Sequence, residues 1–236
     1  MKNKALKAVA ALMAVVCLAG CSSNKYTSDN FINIAKKYGM EECTDYHKFG
    51  LVWAGPQNDA SIYFTSKNAE QADIMCYGLL GFGPEAGVEE SVVCAETSTP
   101  SNDNPVGSMS HVFLFKAKDE EAAQKIYDYQ ANTLSNAEEG VKNGTKYAIS
   151  FWTIKSQVAK PLDFSGVGMQ SGSVDFSVDN MTPDMFTEVE TGFASGIYLK
   201  GDTVIWVYSM YDVTKTDECV KTFCNKLGLK SPYSLK

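Results

Sequence analysis

The sequence predicts an α+β fold in which a mixed or antiparallel sheet is packed by amphipathic helices. Two segments, one near each end of the chain, repeat apolar residues at a helical spacing and stop at a glycine. Between them lie short runs of β-branched and aromatic residues, separated by polar turn residues. This mixture of helices and strands is typical of an α+β sandwich.

The first helix is predicted over residues 28–38. Ser28 is a suitable N-cap residue, and Phe31 and Ile34 fall on one face of the helix. Gly39 follows, and a glycine suits the left-handed position that ends a helix.

Two strand-to-helix steps come next. A strand predicted at 62–64 precedes a short helical segment, and a strand at 112–115 precedes a longer helix at 119–134. The first three residues of that helix are acidic, as the helix dipole favours. Ile126 and Tyr127 belong to its apolar face.

Further strands are predicted at 146–154, 196–199 and 204–210. A glycine-containing connection at 200–202 joins the last two as a hairpin.

A polar loop rich in proline, glycine and serine is predicted at 96–110. It separates a first αβ unit at 28–95 from a second at 111–236. Two related ferredoxin-like αβ units would satisfy this pattern.

The closing helix resembles the first one. It starts at Thr214 or Thr216, ends at Gly228, and aligns Val220 and Phe223 with the apolar positions of the first helix. Duplication explains the likeness, and so does the common design of an amphipathic helix with a glycine stop.

The amino terminus has the three parts of a secretory signal. Lysines at 2, 4 and 7 precede an uncharged run at 8–20, which is too short to span a membrane. The run ends in Leu18-Ala19-Gly20-Cys21. This motif resembles the lipobox of bacterial prolipoproteins; the alternative is a plain signal peptide with an incidental cysteine.

The lipobox resemblance implies that a diacylglycerol is attached to Cys21 and that residues 1–20 are removed. Two acyl chains anchor a protein stably, whereas one binds a membrane only marginally. Residues 21–27 would form a lipidated tether that holds the folded part close to the extracytoplasmic face of the cell membrane. Fully extended, the six residues 22–27 reach about 20 Å.

The charge of the chain argues against nucleic acid as a partner. Removing residues 1–20 takes away three lysines and no acidic residue, so the formal charge changes from −7 to −10. All 21 basic residues are lysines, so the bidentate guanidinium fork that reads phosphates and guanine edges is absent.

Five cysteines remain after Cys21, which is an odd number for a set of disulfides. Cys76 and Cys94 are the most plausible pair by proximity in sequence. Cys219 and Cys224 lie too far apart along a helix to bond each other and are expected in the core.

Catalytic and cofactor motifs are scarce. His47 and His111 are the two histidines, and neither belongs to a recognised hydrolase motif. The glycines at 78–83 lack the dinucleotide-binding spacing, and the chain contains no C-x-x-C pair. We therefore expect no cofactor and no metal.

The mature part also resembles uncharacterised small lipoproteins of Gram-positive gut bacteria. The matching positions are Phe31, Gly39, Met40, Phe113, Phe115, Glu121, Ala122, Lys226, Leu227 and Gly228. This group carries no known activity, so the resemblance implies a fold and not a function.

Two functions are consistent with the sequence. The first is a membrane-anchored, non-catalytic module that binds an envelope protein or a small ligand, since aromatic residues are numerous and one exposed stripe could bind a sugar or peptide. The alternative is an envelope hydrolase with a site around His111 or His47.

Overall fold

The computed structural model describes residues 26–45, 58–81, 86–159, 186–215 and 217–236. The predicted signal peptide, Cys21 and His47 lie outside the described residues. The helices are α1 Ser28–Tyr38, α2 Ala69–Leu80, α3 Glu120–Ala131 and α4 Glu218–Leu227, with a short 3₁₀ helix Pro232–Leu235. The strands are β1 Glu41–Glu42, β2 Ala60–Ser66, β3 Val88–Ser98, β4 Ser108–Ala117, β5 Glu138–Lys142, β6 Thr145–Ala159, β7 Phe186–Lys200 and β8 Thr203–Asp212.

The eight strands form one mixed sheet in the order β1-β2-β3-β4-β8-β7-β6-β5. Only β1 and β2 are parallel; every other neighbouring pair is antiparallel. The predicted α+β fold with a sheet packed by helices is confirmed. The two predicted αβ units, 28–95 and 111–236, contribute strands to this same sheet. They meet where β3 pairs with β4 along its length.

Helices cover both faces of the sheet. Successive side chains of a strand point to opposite faces. On β4, Phe113 and Phe115 therefore pack with α2 and α3, whereas Val112 and Leu114 pack with α1 and α4. We call these the α2/α3 face and the α1/α4 face.

The helix ends follow local hydrogen bonds. Both predicted glycine stops are confirmed, since Gly39 and Gly228 have φ values of 101° and 73°. The N-caps differ from prediction. Thr27, rather than Ser28, is the N-cap residue of α1. Asp217, rather than Thr214 or Thr216, caps α4 by accepting a hydrogen bond from the backbone N–H of Val220. Adjacent residues with suitable side chains compete for this role.

The long polar loop is shorter than predicted, because strands continue into it. β3 runs to Ser98 and β4 starts at Ser108. The side-chain oxygens of these two serines lie 2.8 Å apart. Polar residues extend the ladder here because backbone groups make its hydrogen bonds. The predicted hairpin at 200–202 is confirmed, since Lys200 pairs with Thr203 across the turn.

The first and last helices, which resemble each other in sequence, lie side by side on the α1/α4 face. The ring centroids of Phe31 and Phe223 are 5.0 Å apart. Their apolar faces thus meet each other as well as the sheet.

Gly228→Ala should lower the free energy of unfolding by about 1 kcal/mol, because a Cβ strains the left-handed backbone. No other atom lies within 4 Å of the added Cβ, so the cost is purely conformational. Gly78→Ala is the matched control, since Gly78 is helical, exposed and equally unobstructed. It should raise stability by roughly 0.5–1 kcal/mol in urea unfolding. Equal effects at both sites would contradict this account.

Candidate binding site

The predicted disulfide between Cys76 and Cys94 is wrong. Both thiols are free, and the two side chains lie in core layers on opposite faces of the sheet. The alternation of side chains along β3 sends Cys94 to the α1/α4 face, while α2 holds Cys76 on the other. The intervening sheet keeps the two sulfur atoms apart.

The remaining described cysteines, Cys43, Cys219 and Cys224, are also free and buried. Cys219 and Cys224 contribute to the core, as predicted. Burial raises the pKa of both the Cys76 and Cys224 thiols to about 12, so neither forms a reactive thiolate at neutral pH.

His111 is fully enclosed at the centre of the sheet. It is 0% exposed, and its ring centroid lies 5.8 Å from that of Phe113 and 6.5 Å from that of Tyr208. Burial lowers its pKa from 6.5 to about 3. A histidine that stays neutral and has no solvent exposure is a poor general base, so His111 does not favour the hydrolase alternative.

The buried neutral His111 should make stability depend on pH. Its pKa is lowered in the folded state, so the unfolded chain takes up a proton first as pH falls below 6.5, and stability is lost until the folded pKa near 3 is reached. The unfolding free energy of wild type should therefore fall by roughly 3 kcal/mol relative to that of His111→Phe as pH is lowered from 6.5 to about 4. Urea unfolding of both proteins across this pH range measures the change. Unfolding free energies of wild type and His111→Phe that vary with pH in parallel would refute the prediction.

A row of apolar side chains crosses the sheet on the α2/α3 face. Trp152 pairs with Phe193, Phe193 with Met210, and Met210 with Met109. The rings of Trp152 and Phe193 stack with centroids 4.0 Å apart, and Trp152 is 46% exposed. Ile154, two residues further along β6, is also half exposed. Trp206, by contrast, is buried, as expected of a core residue.

A groove of about 700 Å³ lies between α3 and the β5–β6 hairpin on the same face. Helix α3 packs over β4, β7 and β8 and so leaves this edge of the sheet open. The β7–β8 turn closes one end of the groove with Gly201. The walls carry the acidic residues Glu120 and Glu121 from α3 and Glu139 from β5.

Tyr127 and Lys146 form the polar part of the groove floor. The Lys146 ammonium lies 4.6 Å from the centroid of the Tyr127 ring and 3.5 Å from a carboxylate oxygen of Asp128. Tyr127 is 1% exposed, and its hydroxyl has no hydrogen-bond partner among the described residues. Burial and the nearby negative charges of Glu139 and Asp128 raise its pKa to about 12, so the hydroxyl stays protonated.

The charges in the groove are only partly matched. Glu121 forms an ion pair with Lys125 at 2.8 Å, and Lys146 is matched by Asp128. Within the described part of the chain, Glu120, Glu139 and Lys200 have no oppositely charged partner within ion-pair distance, and the Lys200 ammonium lies 5.2 Å from the centroid of the Tyr26 ring. The groove therefore carries two unmatched carboxylates and one unmatched ammonium beside a hydroxyl without a hydrogen bond.

A second polar cluster lies on the α1/α4 face. The Tyr38 hydroxyl donates to Glu96 at 2.7 Å, and the Tyr233 hydroxyl donates to Asp217. Burial raises the pKa of the Glu96 carboxyl, and the Asp217 charge adds to the shift. Because Asp217 also caps α4, these bonds tie α1, α4 and the carboxyl terminus to the sheet. We therefore assign this cluster a structural role.

No sequence pattern indicates the groove. The helical spacing places Tyr127 on the apolar face of its helix, which is correct for its ring but does not reveal the unpaired hydroxyl. Glu139 and Lys146 flank a turn and show no motif. Among the residues that the structure describes, no three histidine, cysteine or acidic side chains are grouped so as to hold a metal ion.

The described helices are all too short or too polar to cross a bilayer. No protein-family model matches the chain, and no curated protein matches it. Among solved structures, the chain is similar to the extracellular domain of PknH from Mycobacterium tuberculosis. The two share 9% identity and a TM-score of 0.30, over 78% of this chain and 90% of that chain. A likeness of this size carries no conclusion about function.

Tyr127→Phe should leave the protein as stable as wild type or raise its unfolding free energy by about 1 kcal/mol, because it removes a buried hydroxyl without a partner. Tyr198→Phe is the matched control: Tyr198 is equally buried, but its hydroxyl donates to the Lys230 carbonyl at 2.6 Å. That change should cost about 1–3 kcal/mol in urea unfolding. A similar loss for both variants would mean that the Tyr127 hydroxyl is satisfied in solution.

Proposed function

We propose that this protein is an extracytoplasmic, membrane-anchored lipoprotein whose folded part is a non-catalytic binding module. The observation that carries the proposal is the lipobox-like sequence Leu18-Ala19-Gly20-Cys21 behind a lysine-rich start and an uncharged run. A thiol at this position, with small residues before it, suits acylation followed by cleavage. The anchor would be a diacylglycerol on Cys21.

The start of the folded part supports a position close to the lipid. Helix α1 begins at Ser28, so only 22–27 separate it from Cys21. Tyr26, at the end of this tether, is already buried, and its hydroxyl lies 2.9 Å from the side-chain oxygen of Thr145. The free length of the tether is therefore shorter than the sequence alone suggests, and reachable partners lie at or near the membrane.

The two surface features of the α2/α3 face support a binding role. The half-exposed row around Trp152 offers apolar and aromatic contact area, and the groove beside Tyr127 offers polar groups next to an apolar floor. Ligand sites in proteins commonly combine such apolar surface with a few placed polar groups.

Cys21→Ser should abolish incorporation of labelled fatty acid and release the protein from the membrane fraction, because the serine hydroxyl does not replace the thiolate as acyl acceptor. Cys17→Ser is the matched control, since Cys17 lies in the same segment four residues before Cys21. The control should keep both label and membrane association. Labelling of Cys21→Ser, or release of both variants alike, would overturn the lipoprotein proposal.

A further inference from the structure

We propose that the groove between α3 and the β5–β6 hairpin binds a primary ammonium group on an aliphatic chain. This inference rests on the proposed role of the folded part as a binding module, and it specifies the ligand class. Three features carry it: the unmatched carboxylates of Glu120 and Glu139, the unpaired hydroxyl of Tyr127, and the apolar surface between them.

The charge of the groove selects a cation. Lys146 and Glu121 already have opposite charges beside them, at 3.5 Å and 2.8 Å. The carboxylates of Glu120 and Glu139 and the ammonium of Lys200 are left among the groove residues that the structure describes, so the unmatched charge is negative overall. Both carboxylates would repel an anionic ligand, whereas a neutral polyol would leave them unmatched. A cationic group near them gains attraction from each.

The Tyr127 hydroxyl gives the cation a directional partner. An ammonium group has three N–H donors and no acceptor. The phenol oxygen can accept one of these N–H bonds, because it has no partner of its own in the described structure. The raised pKa keeps the hydroxyl protonated, so its hydrogen remains available for a bridging water.

The floor of the groove suits the carbon chain that carries the ammonium. The Tyr127 ring and Leu199 are buried there, and Val141 on β5 is 70% exposed at the rim. An aliphatic chain packed against Val141 would remove apolar surface from water on both partners. A bare metal ion gains nothing from such a floor.

Two sources share this chemistry: a free diamine and the lysine side chain of a peptide. We would titrate the full-length lipoprotein in detergent micelles, at low ionic strength, by isothermal titration calorimetry. The probes are putrescine, the peptide acetyl-Gly-Lys-Gly-amide, the same peptide with an acetylated lysine, and glucose. Saturable binding of one or both amine probes, without binding of the acetylated peptide or glucose, is the expected result.

Variants test whether the binding site is the groove. Tyr127→Phe and Glu139→Gln should each weaken amine binding about tenfold, as expected for loss of a hydrogen bond to a charged group. Tyr129→Phe and Glu70→Gln are the matched controls. Tyr129 lies on the same helix as Tyr127, and its hydroxyl donates to the Gly81 carbonyl. Glu70 lies in the first turn of α2, as Glu120 and Glu121 lie in the first turn of α3, but it does not line the groove. Both controls should bind as wild type does.

The proposal is overturned if wild type binds neither amine, if glucose binds instead, or if the groove variants and the controls lose affinity equally. Folding of each variant is checked by urea unfolding, and Tyr127→Phe is expected to retain full stability. Fatty-acid labelling of the same preparation separates the two proposals. A labelled protein without amine binding overturns only the ammonium site, and an unlabelled protein that binds amines overturns only the lipid anchor.

Discussion

Burial of strand β4 on both faces is the constraint on which the rest of the structure depends. Its residues 112–115 point alternately to the two faces, and all four side chains are almost completely buried. A strand of this kind is stable only where each face is covered, because half of its apolar side chains would otherwise face water. The chain meets this demand with two helices per face: α2 and α3 on one, α1 and α4 on the other.

The lengths of helices and strands decide where surface is left open. Helix α3 has 12 residues and spans about 18 Å, whereas β6 has 15 residues and spans about 50 Å. A helix layer cannot cover strands that extend so much further. This mismatch leaves the row around Trp152 exposed on the α2/α3 face. The groove beside Lys146 instead lies at the β5–β6 edge, because α3 packs over β4, β7 and β8.

Much of the fold could be predicted because its signals are local. Apolar spacing and a following glycine located α1 and α4, and runs of β-branched and aromatic residues located most strands, since both patterns depend on near neighbours in sequence. The exact caps could not be predicted, because Thr27 and Ser28 both suit the role. Strand β3 and the start of β4 were missed because backbone pairing, rather than polarity, extends a ladder into polar residues. The disulfide prediction failed because spacing along the chain does not reveal which face of a sheet a cysteine occupies.

The sequence by itself determined α1, α3, α4 and most of the strands, the amphipathic faces of those helices, and the position of Cys21 in a lipobox-like motif. Only the tertiary structure decided that Glu120 and Tyr127 of α3 share a groove with Glu139 and Lys146 of the β5–β6 hairpin. It also decided that Cys76 and Cys94 lie on opposite faces. The physical reason is that these relations depend on strand register and on which face each helix covers. Those are set by packing between residues that are distant in the chain, and no local pattern records them.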